Sequence, residues 1–508
     1  MTNYGFIIDN RKCIGCHACT VACKAEHEVP IGVNRTWVKY IEKGEFPDTQ
    51  RAFHVMRCNH CADAPCVEAC PVTALFIRED GIVDFNWDRC IGCKACIQAC
   101  PYDALYIDPD SNTAAKCNYC AHRVDVGLEP SCVQVCPENA IISGDMDDPE
   151  TPISKLLARE KVTVRRPEKG ARPKLFYING DEAALTPDDA PVASDYMWGN
   201  QRRGVGHHAP GGEHENDGAS LTQGVIPLER KPERNGARGG APAPAGPDPT
   251  PKVQPEKARR TYDEPSKGVH WGKEVPAYIC TKAIATGGLL VLDLDRPDRF
   301  HYVLLRPQWK SWLTKGAYTI TGFGGLLVLW VVIKLLGGGR VTDVVLAWPL
   351  VALAFATAVY TAFLFAQSKG RSFWQSPALP LHMLAHAAVA GAAALYLVSF
   401  FVGGLLPLRE ALVWTLALGL LGGLLVFWAE LSVRHPDRDA ARAAQMIYKG
   451  RYKRLFWGVA VVLGSLVPLA LIATGSPVAI AAAGVLALVG IFAAEHAWIE
   501  APQLIPLA

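Results

Sequence analysis

Seventeen cysteines occur in this 508-residue chain, and sixteen of them fall within the first 136 residues in four groups of four. Cys13, Cys16, Cys19 and Cys23 are spaced C-x2-C-x2-C-x3-C, and Cys90, Cys93, Cys96 and Cys100 repeat that spacing. Cys58, Cys61, Cys66 and Cys70 widen the second gap, and Cys117, Cys120, Cys132 and Cys136 widen it further. Three thiolates placed this closely in a tight loop can reach three corners of one cube, while the fourth corner must come from elsewhere. That is the ligand pattern of cubane iron–sulfur centres, in which the last cysteine of one run ligates the centre of its paired run. Four runs predict two interlocked pairs and four [4Fe-4S] sites.

Disulfides fit poorly. Cysteines two residues apart are badly placed to bridge, and the opening MTNYGFIIDN does not read as a secretory signal leading to an oxidising compartment. Zinc is the competing reading, because paired C-x2-C groups also hold structural zinc. Proline follows the fourth cysteine in three runs (Pro71, Pro101, Pro137), and the steps Ala74-Leu75, Ala104-Leu105 and Ala140-Ile141 come soon after. These endings are ferredoxin-like and favour cubanes. Cys280 stands alone and reads as a small buried hydrophobe.

Half of the residues are hydrophobic and the formal net charge is only +2, but that average hides two solvents. Residues 1–187 carry the cysteines and dispersed charge of both signs, a water-soluble composition. Residues 188–270 turn to Gly, Pro, His and charge, which cannot bury enough apolar surface to offset ordering, so they read as a tether. His207 and His208 within it read as solvated linker rather than metal ligands. In residues 271–508, apolar runs at 312–336, 342–366, 377–405, 410–433, 455–473 and 477–499 each approach or exceed the roughly 20 residues that span a bilayer as a helix. Six such runs leave no polar faces for a water-soluble bundle. A shorter segment, 275–292, holds Lys282 and a Gly287-Gly288 pair and reads as entering the membrane without simply crossing it. The predicted architecture is an α+β ferredoxin-like domain with four [4Fe-4S] sites, followed by an all-α polytopic transmembrane helix bundle.

The motifs RCNHCADAPCVEACPVTAL, DRCIGCKACIQACPYDALY, KCNYCAHR and GDMDDP resemble the four-cluster electron-transfer subunits of dimethyl sulfoxide, polysulfide and tetrathionate reductases. The second half resembles the NrfD-type membrane subunit of polysulfide reductase in LDLDRPDRFHYVLLRPQWKSWLTKGAY, GRSFWQSPALPLH and EHAWIEAPQLIPL. Members usually carry these as two polypeptides, so the chain resembles a fusion. The resemblance implies a ligand pairing: Cys13, Cys16 and Cys19 with Cys136; Cys23 with Cys117, Cys120 and Cys132; Cys58, Cys61 and Cys66 with Cys100; and Cys90, Cys93 and Cys96 with Cys70. It also implies no haem and a separate catalytic partner containing a molybdopterin or tungstopterin. The family's membrane subunit usually has two helices before its D-L-x-R-P loop, where this chain has the one short segment.

A cluster wire ending in a membrane domain without its own redox metal needs a lipid-soluble acceptor, and a quinone, which takes two electrons and two protons, fits. Ionisable groups inside a membrane are expensive and mark function by default. His382 and His386, four apart on one helix face, together with Glu430, Glu495 and His496, are therefore the candidate quinone and proton sites, and the bland alternative is that they satisfy neighbouring helices. A haem b held by His382 or His386 is a rival reading. Asp293, Arg296 and Arg299 read as fixing their loop against the cluster domain or as an interfacial anchor.

No nucleotide fingerprint or nucleophile elbow stands in the soluble half, and nothing points to nucleic acid. The chain therefore reads as the electron-transfer and quinone-reactive membrane subunit of a respiratory oxidoreductase. The alternatives are a redox-coupled proton-translocating subunit and a plain membrane anchor. Between the six helices, thirteen basic residues crowd one side, from Arg296 to Lys310, at Lys369 and Arg371, and from Arg434 to Arg454, against Lys334, Arg340 and Arg409 on the other. The positive-inside rule places the crowded side in the prokaryotic cytoplasm. If 275–292 crosses the membrane, the cluster domain lies on the other side; if it turns back, the domain is cytoplasmic, which the lack of a twin-arginine or Sec signal and the intramembrane polar residues on the crowded half of their helices favour.

Overall fold

The computed structural model describes residues 2–44, 47–186, 259–262, 267–272, 275, 294–337, 339–432, 435 and 437–507. The segment 275–292, Cys280, Asp293, and His207 and His208 lie outside these, apart from Val275 itself.

The cysteine-rich domain is built on short strands that the Cys-Pro endings launch. Strand β1 (Tyr4–Asp9), β2 (Thr36–Lys43) and β3 (Gln50–Arg57) precede the hairpins β4 (Leu75–Ile77) with β5 (Val83–Phe85) and β6 (Leu105–Asp108) with β7 (Thr113–Lys116). Strands β8 (Ile141–Asp145), β9 (Val162–Thr163) and β10 (Leu175–Ile178) join β1 in the order β8-β1-β10-β9. Leu75, Leu105 and Ile141, the apolar residues of the steps noted above, begin β4, β6 and β8. Each is buried, so the residue just after a cysteine run starts the core behind it.

Short helices carry the third cysteine of each run: α1 (Ala18–Glu26) holds Cys19 and Cys23, α2 (Pro65–Ala69) Cys66, α3 (Ala95–Ala99) Cys96 and α4 (Ser131–Gln134) Cys132. Cys70 and Cys100 fall at the C-caps of α2 and α3, which turns their side chains away from their own loops.

Part of the stretch read as tether is ordered. Arg259–Tyr262 forms β11 on the open edge of β2, making a three-stranded sheet β11-β2-β3, where its backbone satisfies an otherwise unpaired edge. Residues 267–272 then run between the two halves: Lys267 pairs with Asp103 at 3.4 Å, and the buried Trp271 donates from Nε1 to the Cys93 carbonyl at 3.2 Å.

Among the described residues, six helices are long and apolar enough to cross a membrane. They are α5 (Trp312–Leu335), α6 (Arg340–Ala366), α7 (Leu379–Val398), α8 (Arg409–Ser432), then, after the amphipathic α9 (Arg438–Tyr448), α10 (Leu455–Ala473) and α11 (Pro477–Gln503). The run predicted over 377–405 stops as a helix at Val398, where the buried Ser399 turns the chain and its hydroxyl accepts from Arg409 Nε at 2.8 Å. Residues Leu455–Leu466 of α10 are π-wound, and Gly464 there meets Gly490 of α11 backbone to backbone, an approach that any Cβ would block.

The cysteine domain docks on one end of this bundle. Ser311 Oγ donates to the Ala69 carbonyl at 2.9 Å and Thr314 Oγ1 to that of Pro71 at 3.0 Å. Arg371, between α6 and α7, donates to Gln98 Oε1 and to the carbonyls of Pro502 and Ile505. Arg166 pairs with Asp439 at 2.7 Å and Lys169 with Asp437 at 2.9 Å. One apolar core continues across the junction, from Cys70, Cys90 and Cys96 to Leu294, Val303 and Ala317.

Candidate metal centres and a buried polar cluster

Each cysteine loop wraps its own backbone inward. The residue before the second cysteine is left-handed in all four runs: Gly15 (φ 71°), His60 (φ 42°), Gly92 (φ 67°) and Tyr119 (φ 63°). His17 and Lys94 repeat the turn before α1 and α3. Such alternation aims successive N–H groups into one concavity, the backbone nest that suits an anionic cluster. Several N–H groups also reach cysteine sulfurs, Ala74 to Cys70 and Ala140 to Cys136 at 3.2 Å each and Ala114 to Cys90 at 3.4 Å.

Cys13, Cys16, Cys19 and Cys136 line one cavity, Cys58, Cys61, Cys66 and Cys100 a second, and Cys70, Cys90, Cys93 and Cys96 a third. Cys23 has Cys117, Cys132 and Cys120 as its charge neighbours. All sixteen are free thiols. Burial pushes the Cys19 and Cys120 thiols up to about 12, so a bound cation is what would favour their thiolate forms. The donor set, the nests and the burial all fit [4Fe-4S] clusters. At the far end Cys16 is exposed; at the membrane end Gly92 lies under the 294–300 loop, and a Cβ there would meet Asp295 Cβ at 2.6 Å. Arg296 and Arg299 hold that loop on the cysteine domain through the carbonyls of Ser111 and Trp87.

Inside the bundle, α7, α8 and α11 bring four of the five predicted polar residues together. His382 Nδ1 lies 3.3 Å from Glu430 Oε2 and its Nε2 3.4 Å from Glu495 Oε1; His386 Nδ1 lies 2.6 Å from Glu495 Oε1. Glu495 is 0% exposed and His382 1%. Glu430 Oε1 and Glu495 Oε2 have no hydrogen-bond partner, an arrangement that leaves room for protons or a polar ligand group. His496 points elsewhere, 3.4 Å from Glu500 Oε2, which also accepts from Tyr452 at 2.5 Å.

The sequence reading did not single out Glu500, Tyr452 or Phe427; Phe427 and Trp498 wall the pair, 5.3 and 5.8 Å from the His382 ring. Trp498 stacks on Trp374 and Trp374 on Trp271, linking this cluster to the Cys93 loop. The run Trp498-Ile499-Glu500, just beyond His496, was the available signal. Tyr318 donates to the Leu304 carbonyl and so serves the fold, while Tyr360 packs over Gly316.

Residues 12–75 and 49–146 match 4Fe-4S dicluster domains, and residues 273–506 match Polysulphide reductase, NrfD. The sequence is 44% identical to a tetrathionate reductase subunit of Salmonella typhimurium over 36% of its own length and 75% of that relative's. It is 46% identical to a polysulfide reductase polypeptide of Wolinella succinogenes over 34% of its length and 93% of the relative's. With the arsenate respiratory reductase iron-sulfur subunit of Shewanella sp. it shares 34% identity over 34% of its length and 95% of the relative's. Those matches lie on the cysteine domain and the membrane half has its own, so the protein belongs to the reductase iron-sulfur subunit family, here fused to an NrfD-type membrane domain.

Proposed function

We propose that this chain is the electron-transfer and quinone-reactive membrane subunit of a respiratory oxidoreductase. Its sixteen run cysteines hold four [4Fe-4S] clusters in the pairing given above, and substrate chemistry resides on a separate subunit, as the names of the relatives suggest, which by the family resemblance contains a pterin. Each cluster, when bound, accepts and releases one electron at a time. The observation that carries the reading is the join at the membrane. The Cys93 carbonyl holds Trp271, and the stacked Trp271, Trp374 and Trp498 end beside His382.

There the paired histidines and carboxylates can hold and pass the two protons that quinone reduction consumes or quinol oxidation releases. Glu495 bridges both histidines and holds them in position, while the free oxygens of Glu430 and Glu495 are the acceptors. Burial makes any unpaired charge here costly, so protons move within a nearly neutral set. At the opposite end, Ile14, Val21 and Ile31 are exposed around Cys16 and offer an apolar face for the catalytic partner.

Docking also bears on the side of the membrane. The cysteine domain sits on the helix ends whose loops carry most of the basic residues, Lys369 and Arg371 and 438–454, which supports a cytoplasmic location.

The test is anaerobic reduction of the purified chain's clusters by a short-chain quinol, followed by visible bleaching. Reduction by quinol supports the reading. Clusters that dithionite reduces but quinol does not would leave only the anchoring role.

A further inference from the structure

The four cysteine sets do not sit in equal surroundings. At the Cys23–Cys117–Cys120–Cys132 set, Arg57 Nη1 donates to Cys132 Sγ at 3.0 Å and His27 Nε2 lies 3.2 Å from Cys120 Sγ. The sulfurs of Cys136, Cys70 and Cys90 are met by backbone N–H groups instead.

Arg57 is 0% exposed, and among the described residues no carboxylate pairs with it. Its charge neighbours are Cys132, Cys117 and Cys19, and its Nε and Nη2 have no partner. A fully buried guanidinium without an anion is strongly unfavourable, so its counter-ion is the thiolate-held centre it faces. Lys116, also 0% exposed, lies on the other flank, donating to the Cys117 carbonyl at 2.8 Å and facing Cys58 of the next set. Arg57 thus lies between the Cys23–Cys117–Cys120–Cys132 set and the set holding Cys19, and Lys116 between it and the set holding Cys58.

Cluster potential follows net charge and hydrogen bonds to sulfur. Reduction adds one negative charge without breaking a bond, and a fixed cation with sulfur-directed donors stabilises that form more than the oxidised one. Resting on the four-centre reading above, we propose that Arg57, backed by Lys116 and His27, makes the Cys23–Cys117–Cys120–Cys132 centre the highest-potential stop in the wire. A single electron then rests there, between the exposed Cys16 end and the membrane end, with the guanidinium and not a proton compensating its charge.

Redox-titrated EPR of the anaerobically purified full chain tests this, after iron analysis has given about sixteen irons per chain. A shortfall of iron in the unsubstituted protein would count against the four-centre reading itself. The expected result is that Arg57→Met lowers the reduction equilibrium constant of one centre at least tenfold, about 59 mV for a one-electron couple. That centre is the first to reduce in the unsubstituted protein and the one whose signal Cys120→Ser alters, and Arg57→Lys restores much of the loss. Where Arg57→Met fails to assemble, His27→Leu is expected to lower the same centre's potential by a smaller amount. An unmoved potential for that centre in an iron-replete variant, or a larger shift at another centre, overturns the proposal.

Discussion

Glu495 shows how much one buried carboxylate is asked to do. It faces both His382 and His386 from a position with no solvent exposure. Glu495→Gln keeps its shape and removes its charge and basicity, so quinol-driven cluster reduction should fall roughly 10²- to 10⁴-fold, the usual range for a lost acid–base group, with iron content unchanged. Stopped-flow bleaching measures this; a rate within about threefold of the unsubstituted protein would remove Glu495 from the proton path. The i,i+4 spacing of His382 and His386 made their shared face legible from sequence, because residues four apart stack on a helix. The adjacent pair Glu495-His496 could not both join them, since neighbours on a helix point about 100° apart, and nothing in the text says which one turns inward. Glu500, one turn beyond His496, becomes visible as part of a second polar contact only once Tyr452 is seen to reach it.

The cysteine loops show what spacing does and does not carry about an element. Spacing gave the four cysteine runs and the family resemblance their pairing, yet the left-handed turn that closes each loop is legible only at Gly15 and Gly92; His60 and Tyr119 adopt it without any glycine signal. Gly92 combines that backbone with the contact to Asp295, so Gly92→Ala should strain the loop by about 1–2 kcal/mol and push the 294–300 segment off the membrane-end cysteines. The expected readout is faster proteolysis at that junction and slower quinol-driven reduction. Arg371 has a similar joining role: buried, it feeds Gln98 and two carbonyls at the end of α11. Arg371→Met leaves three acceptors unpaired at about 1–3 kcal/mol each, and the two halves should part at lower denaturant concentration than in the unsubstituted protein. Domain-specific fluorescence against urea would show it, and coincident, unshifted transitions would contradict it. The apolar runs announced six helices because length and hydropathy suffice for that. The end of α7 at Val398 depends on Ser399 and Arg409 finding each other, a contact no window average reports.

At the scale of the whole molecule, two solvents and one junction govern stability and placement. Two histidines on the water side are kept neutral by burial: His54, which accepts from the Asp181 N–H, and His270, both pushed down to about 3 from 6.5. Because their folded pKa lies below the unfolded one, the stability linked to each is complete above pH 6.5. It drains by about 1.4 kcal/mol per pH unit as the pH falls toward 3. The cysteine domain should therefore lose stability on mild acidification, and His54→Gln should flatten that slope in denaturant titrations from pH 7 to 4. Orientation supplies the last expectation. Docking buries the cysteine domain on the ends of α5, α6, α7 and α11, so the turn at Thr474-Gly475 between α10 and α11 must face the opposite compartment. Thr474 is exposed. If the basic-rich side is cytoplasmic, Thr474→Cys should react with a membrane-impermeant maleimide on intact cells, while Val126→Cys, at an exposed position of the cysteine domain that is no cluster ligand, reacts only after the membrane is opened. Labelling of Val126→Cys from outside, with Thr474→Cys protected, would place the wire on the other face and turn the charge argument into a consequence of domain docking rather than of topology.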